Sequence, residues 1–267
     1  MDEIKTEALS PEELEKQEEN ARKRSMQHLL SLTRKAVQDY DLIPDGSRVC
    51  VGISGGKDSL ALAAVLEMLS RFYPKKFSVC AVSVDAGFEN MDFGAIASFM
   101  EKIGVPYEVV KTDISKIVFD VRKEKNPCAL CANLRRGALN DKAKQMGASL
   151  VALGHHRDDV IETAFLSLSF EGRFYCFQPK TFLDRSGVTV IRPFIYVPES
   201  DIRSFVRLCG MPVLKSPCPM DKTSKRAETK IILREMNARN PILRDNIFGA
   251  VKRGLWDAED PRDDEDR

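Results

Sequence analysis

A doubly wound α/β fold, with a mostly parallel sheet covered by helices on both faces, is predicted for this chain by two features. From Arg48 onward, short β-branched apolar runs alternate with segments of helical periodicity, the order that builds parallel sheets through crossover helices. A glycine-rich turn, Ser54-Gly-Gly-Lys-Asp-Ser59, falls between the first such strand and the helix after it, where backbone N–H groups and a helix N-terminus can meet phosphate oxygens.

Taken in order, Ser10-Pro11-Glu12-Glu13 reads as a helix start, with Ser10 as N-cap and Glu13 closing a capping box. Apolar residues recur at helical spacing from Met26 to Tyr40, and Asp41–Gly46 carries turn chemistry. Arg48–Ile53 is the first strand, and the apolar run LALAAVLEML after the glycine turn is a buried helix. Strands follow at Phe77–Val84, Tyr107–Val110, Leu150–Leu153 and Val188–Ile191. Helices are expected around 92–103 and 131–146 and from Val160 to about Ser169. No repeat or low-complexity linker divides this body, so residues 25–253 form one domain with helical additions at both ends. Residues 1–24 are expected to be a charged arm and helix start, and 254–267 an acidic disordered tail.

Of the 267 residues, 43% are hydrophobic, enough for a real core. No run of 18 apolar residues exists, which excludes a membrane-spanning helix. The acidic N-terminus lacks the apolar stretch of a signal peptide. Seven cysteines, an odd and scattered number, argue against a secreted disulfide scaffold. The expectation is a cytoplasmic protein with no membrane partner. The formal net charge of +1 conceals acidic ends: residues 21–256 hold 37 bases and 25 acids, a net +12. A body this basic points to a polyanion, with nucleic acid the leading candidate.

Two strand ends place further chemistry on the same sheet edge, where open α/β sheets bind ligands. Asp85 closes the second strand, and Gly154-His155-His156 ends the fourth. Asp159 and Glu162 have capping-box spacing, so Asp159 is either a helix cap or a ligand for nucleotide or Mg²⁺. His155 and His156 are equally open to a structural or a catalytic role.

Cys128-Ala-Leu-Cys131 is followed 87 residues later by Cys218. A CxxC pair serves as a redox disulfide, half a zinc site or part of an iron–sulfur cluster. No second CxxC or CxxH pair completes a four-ligand zinc site, and three thiolates suit a [4Fe-4S] cluster with one open iron; spacing alone leaves zinc and cluster both standing. Cys50 and Cys80, within apolar strands, read as small buried hydrophobes, as do Cys176 and Cys209.

Together these stretches, with Arg135-Arg-Gly137 and Val190-Ile-Arg-Pro-Phe194, resemble the TtcA family of tRNA 2-thiocytidine synthetases, within the PP-loop ATP pyrophosphatase superfamily (adenine nucleotide alpha-hydrolase-like fold). The resemblance implies an ATP-dependent tRNA sulfurtransferase that adenylates the C2 oxygen of a cytidine, at position 32, and replaces it with sulfur. It implies that Ser54, Gly55, Gly56, Lys57, Asp58 and Ser59 hold the pyrophosphate. Asp85, Gly154 and His155 border the nucleotide, while Asp58, Lys57 and Asp159 serve catalysis with Mg²⁺. Cys128, Cys131 and Cys218 would carry the [4Fe-4S] cluster. For tRNA contact the candidates are Arg135, Arg136, Lys222, Lys225 and Arg226, which flank those cysteines. A sulfur donor of the cysteine desulfurase type and a homodimer complete the expected partners. One position departs from the pattern: the family's distal CxxC is Cys218-Pro-Met-Asp221 here. If the family's third ligand is the first of that pair, Cys218 serves as it stands; if it is the second, this chain lacks it or Asp221 offers a carboxylate to the fourth iron. A 2-thiouridine-type thiolase, a lysidine-type amidoligase and a zinc-stabilised RNA-binding protein are the alternatives.

Overall fold

A computed structural model describes residues 10–88, 91–122, 127–215, 218 and 225–257 of the chain. In sequence order they form α1 (Pro11–Asp39), β1 (Ser47–Ile53), α2 (Lys57–Ser70), β2 (Phe77–Asp85), α3 (Gly94–Ile103) and β3 (Tyr107–Lys111). A short α4 (Ile114–Lys116), continued by a wider turn to Arg122, leads to α5 (Pro127–Gln145) and β4 (Leu150–Ala152). Then come α6 (Arg157–Glu171), β5 (Lys180–Leu183), β6 (Val188–Ile191), α7 (Glu199–Leu208), α8 (Lys225–Arg239) and α9 (Leu243–Val251).

The six strands lie in the order β3-β2-β1-β4-β6-β5. All neighbours are parallel except β5 and β6, an antiparallel hairpin at the edge. From β1 the chain winds one way to β2 and β3, then returns to lay β4 on the other side of β1. The reversal opens a crevice beyond the carboxyl ends of β1 and β4, the position where such sheets take ligands.

Side-chain alternation along β1 divides the core. Val49, Val51 and Ile53 join the large cluster with Leu60, Leu66, Phe194 and Phe205, beneath α1, α2 and α7. Cys50 faces the other way, with Cys80, Val82, Ala143 and Val151 beneath α5. Cys50 and Cys80 stand opposite each other in register, both fully buried.

The Ser10–Glu13 capping box forms as its spacing predicts: the Glu13 N–H donates to Ser10 Oγ at 3.3 Å, and Ser10 N–H to the Glu13 carboxylate at 2.9 Å. From that cap α1 runs unbroken across residue 24, so arm and domain share one helix. Its first half has no apolar face and stands in solvent, supported by Glu18–Arg22 and Glu19–Lys23 pairs one turn apart. Two other expectations change. α5 begins at Pro127, earlier than 131, which puts Cys128 in its first turn and Cys131 at the start of the next. β5 is a strand that short alternation in Lys-Thr-Phe-Leu does not announce; pairing with β6 creates it. The outermost residues of the expected arm and tail, 1–9 and 258–267, lie outside the described residues.

Candidate active site

Three residues, Ser54, Gly55 and Gly56, connect β1 to α2. Gly55 turns the chain at φ +83°, in the left-handed region, and its carbonyl accepts the Leu214 N–H at 2.9 Å. Gly56 caps α2 with no side chain, leaving the helix N-terminus open to the crevice. Ser59 clasps the turn from below: its Oγ accepts the Ser54 N–H at 3.2 Å and donates to the Gly56 carbonyl at 2.9 Å. With that hydroxyl engaged and Ser59 buried, Ser59 supports the turn from within while Ser54 stands exposed at its lip.

Lys57 and Asp58 open α2 side by side. Lys57 Nζ lies 3.0 Å from Asp58 Oδ2 and 2.9 Å from Glu199 Oε1, at the start of α7. Burial opposes the ammonium charge, but the two carboxylates outweigh it and raise the Lys57 pKa. Burial likewise pushes Glu199 up, yet Lys57 and then Lys230 bring it down to about 2. Asp58 Oδ1 is buried with no hydrogen-bond partner, facing His156 Nε2 at 3.7 Å. An orphaned carboxylate oxygen beside a phosphate loop fits a Mg²⁺ ligand. Glu199 carries no sequence signal beyond an acid in a helix's first turn.

Beyond β4, Gly154 presses against α2: a Cβ there would stand 3.1 Å from Asp58 C and Ser59 N. Both atoms are backbone, so the helix start itself would have to shift. Gly154→Ala is expected to weaken phosphate-ligand binding at this loop about tenfold or more while the global fold survives; an unchanged inorganic pyrophosphate affinity by calorimetry would show that the two loops are not coupled.

The capping expectation at Asp159 is corrected. The N-cap of α6 is the buried His156, whose Nδ1 accepts the Asp159 N–H at 3.3 Å, while Asp159 Oδ2 accepts the His156 N–H at 2.9 Å. With Nδ1 accepting, Nε2 is the nitrogen left to donate, 3.5 Å from Asp159 Oδ2 and 3.7 Å from Asp58 Oδ1. Glu162, the expected partner of Asp159 in a cap, is instead buried and paired with Arg226 and Lys230. His155 stacks on Phe177 with ring centroids 4.9 Å apart. Burial, then the Arg192 guanidinium, push His155 down to about 4, so its ring is neutral at neutral pH. Asp85 ends β2 as expected, but its Oδ1 accepts the Gly87 N–H at 2.9 Å and serves its own turn.

Two cavities open above this edge. One of about 310 Å³ is lined by Gly52, Ile53, Val82, Leu153 and His155, an apolar slot suited to a base. The other, of about 300 Å³, brings Ser54 and Gly56 together with Cys131 and Cys218. Arg135 lines both. The Cys131 thiol is pushed up by burial, with Arg135 opposing and Cys218 and Cys128 adding to it. No three His, Cys, Asp or Glu side chains among the described residues converge tightly enough for a single metal ion. Cys131 and Cys218 line one cavity, and thiolates are the donors that an iron–sulfur cluster takes.

Among the expected tRNA contacts, Arg135 turns into the crevice, whereas Arg136 lines both the apolar slot and a surface cavity against the β5–β6 hairpin. Arg226 is drawn inward to Asp159 and Glu162, each at 3.1 Å. Lys225 lies exposed, paired with Glu228. Lys222 and Asp221 lie outside the described residues.

Residues 20–230 match the family model described as a PP-loop domain. The tRNA-cytidine(32) 2-sulfurtransferase of Cupriavidus taiwanensis is 37% identical over 226 residues, 84% of this chain and 73% of that protein. Its counterpart in Syntrophotalea carbinolica is 35% identical over 231 residues, 85% and 89% of the two chains. Among solved structures, the U34-tRNA thiolase NcsA from Methanococcus maripaludis, with its [4Fe-4S] cluster, superposes with a TM-score of 0.68. It shares 26% identity, covering 86% of this chain and 79% of that one.

Proposed function

This chain belongs to the PP-loop family, among the tRNA-cytidine(32) 2-sulfurtransferases, and on that premise we propose that it thiolates a tRNA cytidine at position 32 at the expense of ATP. The observation that carries the reading is the cavity shared by the phosphate loop and two of the three cysteines: activation and sulfur delivery need the same atom, C2 of the base, within reach of both.

The chemistry balances. The cytidine C2 oxygen attacks the α-phosphorus of ATP, the bond to the β-phosphate breaks, and pyrophosphate leaves with its electron pair. A sulfide-level sulfur then adds to C2, and AMP departs with the original oxygen. The Ser54–Gly56 turn and the α2 N-terminus would hold the pyrophosphate. Lys57, exchanging its carboxylate partners for phosphate oxygens, would neutralise the departing charge. Asp58 would hold Mg²⁺ through its free oxygen. The slot below would take adenine, with His155 presenting an unpartnered Nδ1 to the base. Arg135, between the slot and the cysteines, would face the charge that develops on the α-phosphate. Asp159 would act indirectly, by holding His156 and the α6 start in place.

A [4Fe-4S] cluster on Cys128, Cys131 and Cys218 would supply an iron with an open position at which incoming sulfide can be held. The reading includes an external sulfur donor of the cysteine desulfurase type, a cytoplasmic setting and a homodimer as the working assembly. No described helix is long and apolar enough to cross a membrane.

The test is nucleoside mass spectrometry of tRNA incubated anaerobically with the protein, ATP and sulfide. We expect ATP-dependent 2-thiocytidine. Thiouridine in its place would move the target to the uridine chemistry of the NcsA type, and no thionucleoside despite AMP formation would end the thiolation reading in favour of an amidoligase.

A further inference from the structure

Beyond the loop lysine lies a further cavity, of about 570 Å³, that the reaction as drawn does not use. It is walled by the first turns of α6 and α9, by α7 from Glu199 in its first turn to Arg207 in its last, and by Asn237 near the end of α8, with Arg157 and Asp245 88 residues apart in sequence. Four arginines face it: Arg157, Arg203, Arg207 and Arg244. Three acids also line it, but Asp158, Glu199 and Asp245 each sit in a helix's first turn, where the positive end of the macrodipole balances a carboxylate.

The arginines keep donors in reserve. Arg244 pairs with Asp158, Arg157 with Asp245, and Arg203 with Glu199 at 3.2 Å, each using a fraction of five N–H groups. Arg207 makes no ion pair among the described residues. Asn237 Oδ1 is buried in the wall with no hydrogen-bond partner, an acceptor that a ribose 2′-hydroxyl can satisfy.

We propose that this cavity docks the phosphodiester backbone of the RNA substrate, an inference that rests on the tRNA reading above and gives that substrate a second, base-independent foothold. Glu199 joins it to the chemistry: the same carboxylate lines the cavity, pairs with Arg203 and holds Lys57. A phosphate that takes up Arg203 frees Glu199 from it, so backbone docking is felt at the loop.

The experiment measures tRNA affinity by fluorescence anisotropy over a salt series for the full chain, Arg207→Ala, Arg203→Ala/Arg207→Ala, and Arg71→Ala as a lost charge at the far end of α2. In the double variant we expect affinity to fall about tenfold and the log K against log salt slope to shallow by about 1–2. Arg71→Ala should stay within about twofold. If the double variant melts early, Arg207→Ala, which breaks no ion pair, carries the test. Wild-type affinity and slope in both cavity variants would overturn the proposal. So would a loss of inorganic pyrophosphate affinity with tRNA binding intact, which would make the cavity a free-phosphate site. Absence of tRNA binding by the unaltered protein would sink the tRNA reading itself.

Discussion

Cys128→Ala is expected to strip the protein of iron and acid-labile sulfide, from about four of each per chain to below about one, and to reduce thiolation to background. Cys128 is the exposed member of the trio, in the first turn of a helix that packs on β2 through residues further along, so its loss leaves the fold in place. The phosphate loop is braced through Leu214 and Ser59 and not through Cys128, so ATP binding should persist. Cys50→Ala and Cys80→Ala are the controls. Both side chains are sealed between the sheet and α5, and each variant should keep its iron at a stability cost of about 1 kcal/mol. Metal analysis of the three anaerobically purified variants decides the matter: iron retained without Cys128, or lost without Cys80, would mean the ligands are misassigned.

Asp58→Asn should lower the rate of tRNA-dependent AMP formation by about 10²–10³-fold while leaving the iron content at the wild-type level. The substitution keeps the shape of the side chain and removes its charge. A neutral amide in place of the orphaned Oδ1 binds Mg²⁺ poorly, and Lys57 loses one of the two carboxylates that hold it. Raising the Mg²⁺ concentration should recover part of the rate if the metal is what Asp58 supplies. A rate within about twofold of wild type would remove Asp58 from the chemistry and return it to the role of an acid at a helix N-terminus.

Much of this protein was legible before folding was considered, and for a common reason. The β1 and β2 runs, the α2 stretch, the glycine turn and the Ser10 cap are local: each is specified by residues within a few positions, through periodicity, left-handed glycine geometry or a side chain reaching its own helix start. The CxxC and the distant cysteine were likewise visible as an unusual set of thiols, and the family resemblance followed from motifs contiguous in the chain.

What escaped that reading depends on elements that meet only across the fold. Asp159 looked like a helix cap because two acids stand three apart, yet the packed imidazole of His156 reaches the free amides first. Arg226, expected at the RNA surface, gains through α8 a carboxylate partner buried in α6 that its local sequence does not show. Lys-Thr-Phe-Leu became β5 because β6 lay free to pair with it. Glu199 and the four-arginine cavity had no motif at all, since their partners come from helices far apart in sequence. Charge pairs and cavities are properties of distance, and distance between remote segments is set by packing. The amino-acid order specifies the elements and the chemistry they carry; the way the sheet reverses at β1 and β4 decides which of those groups face one another.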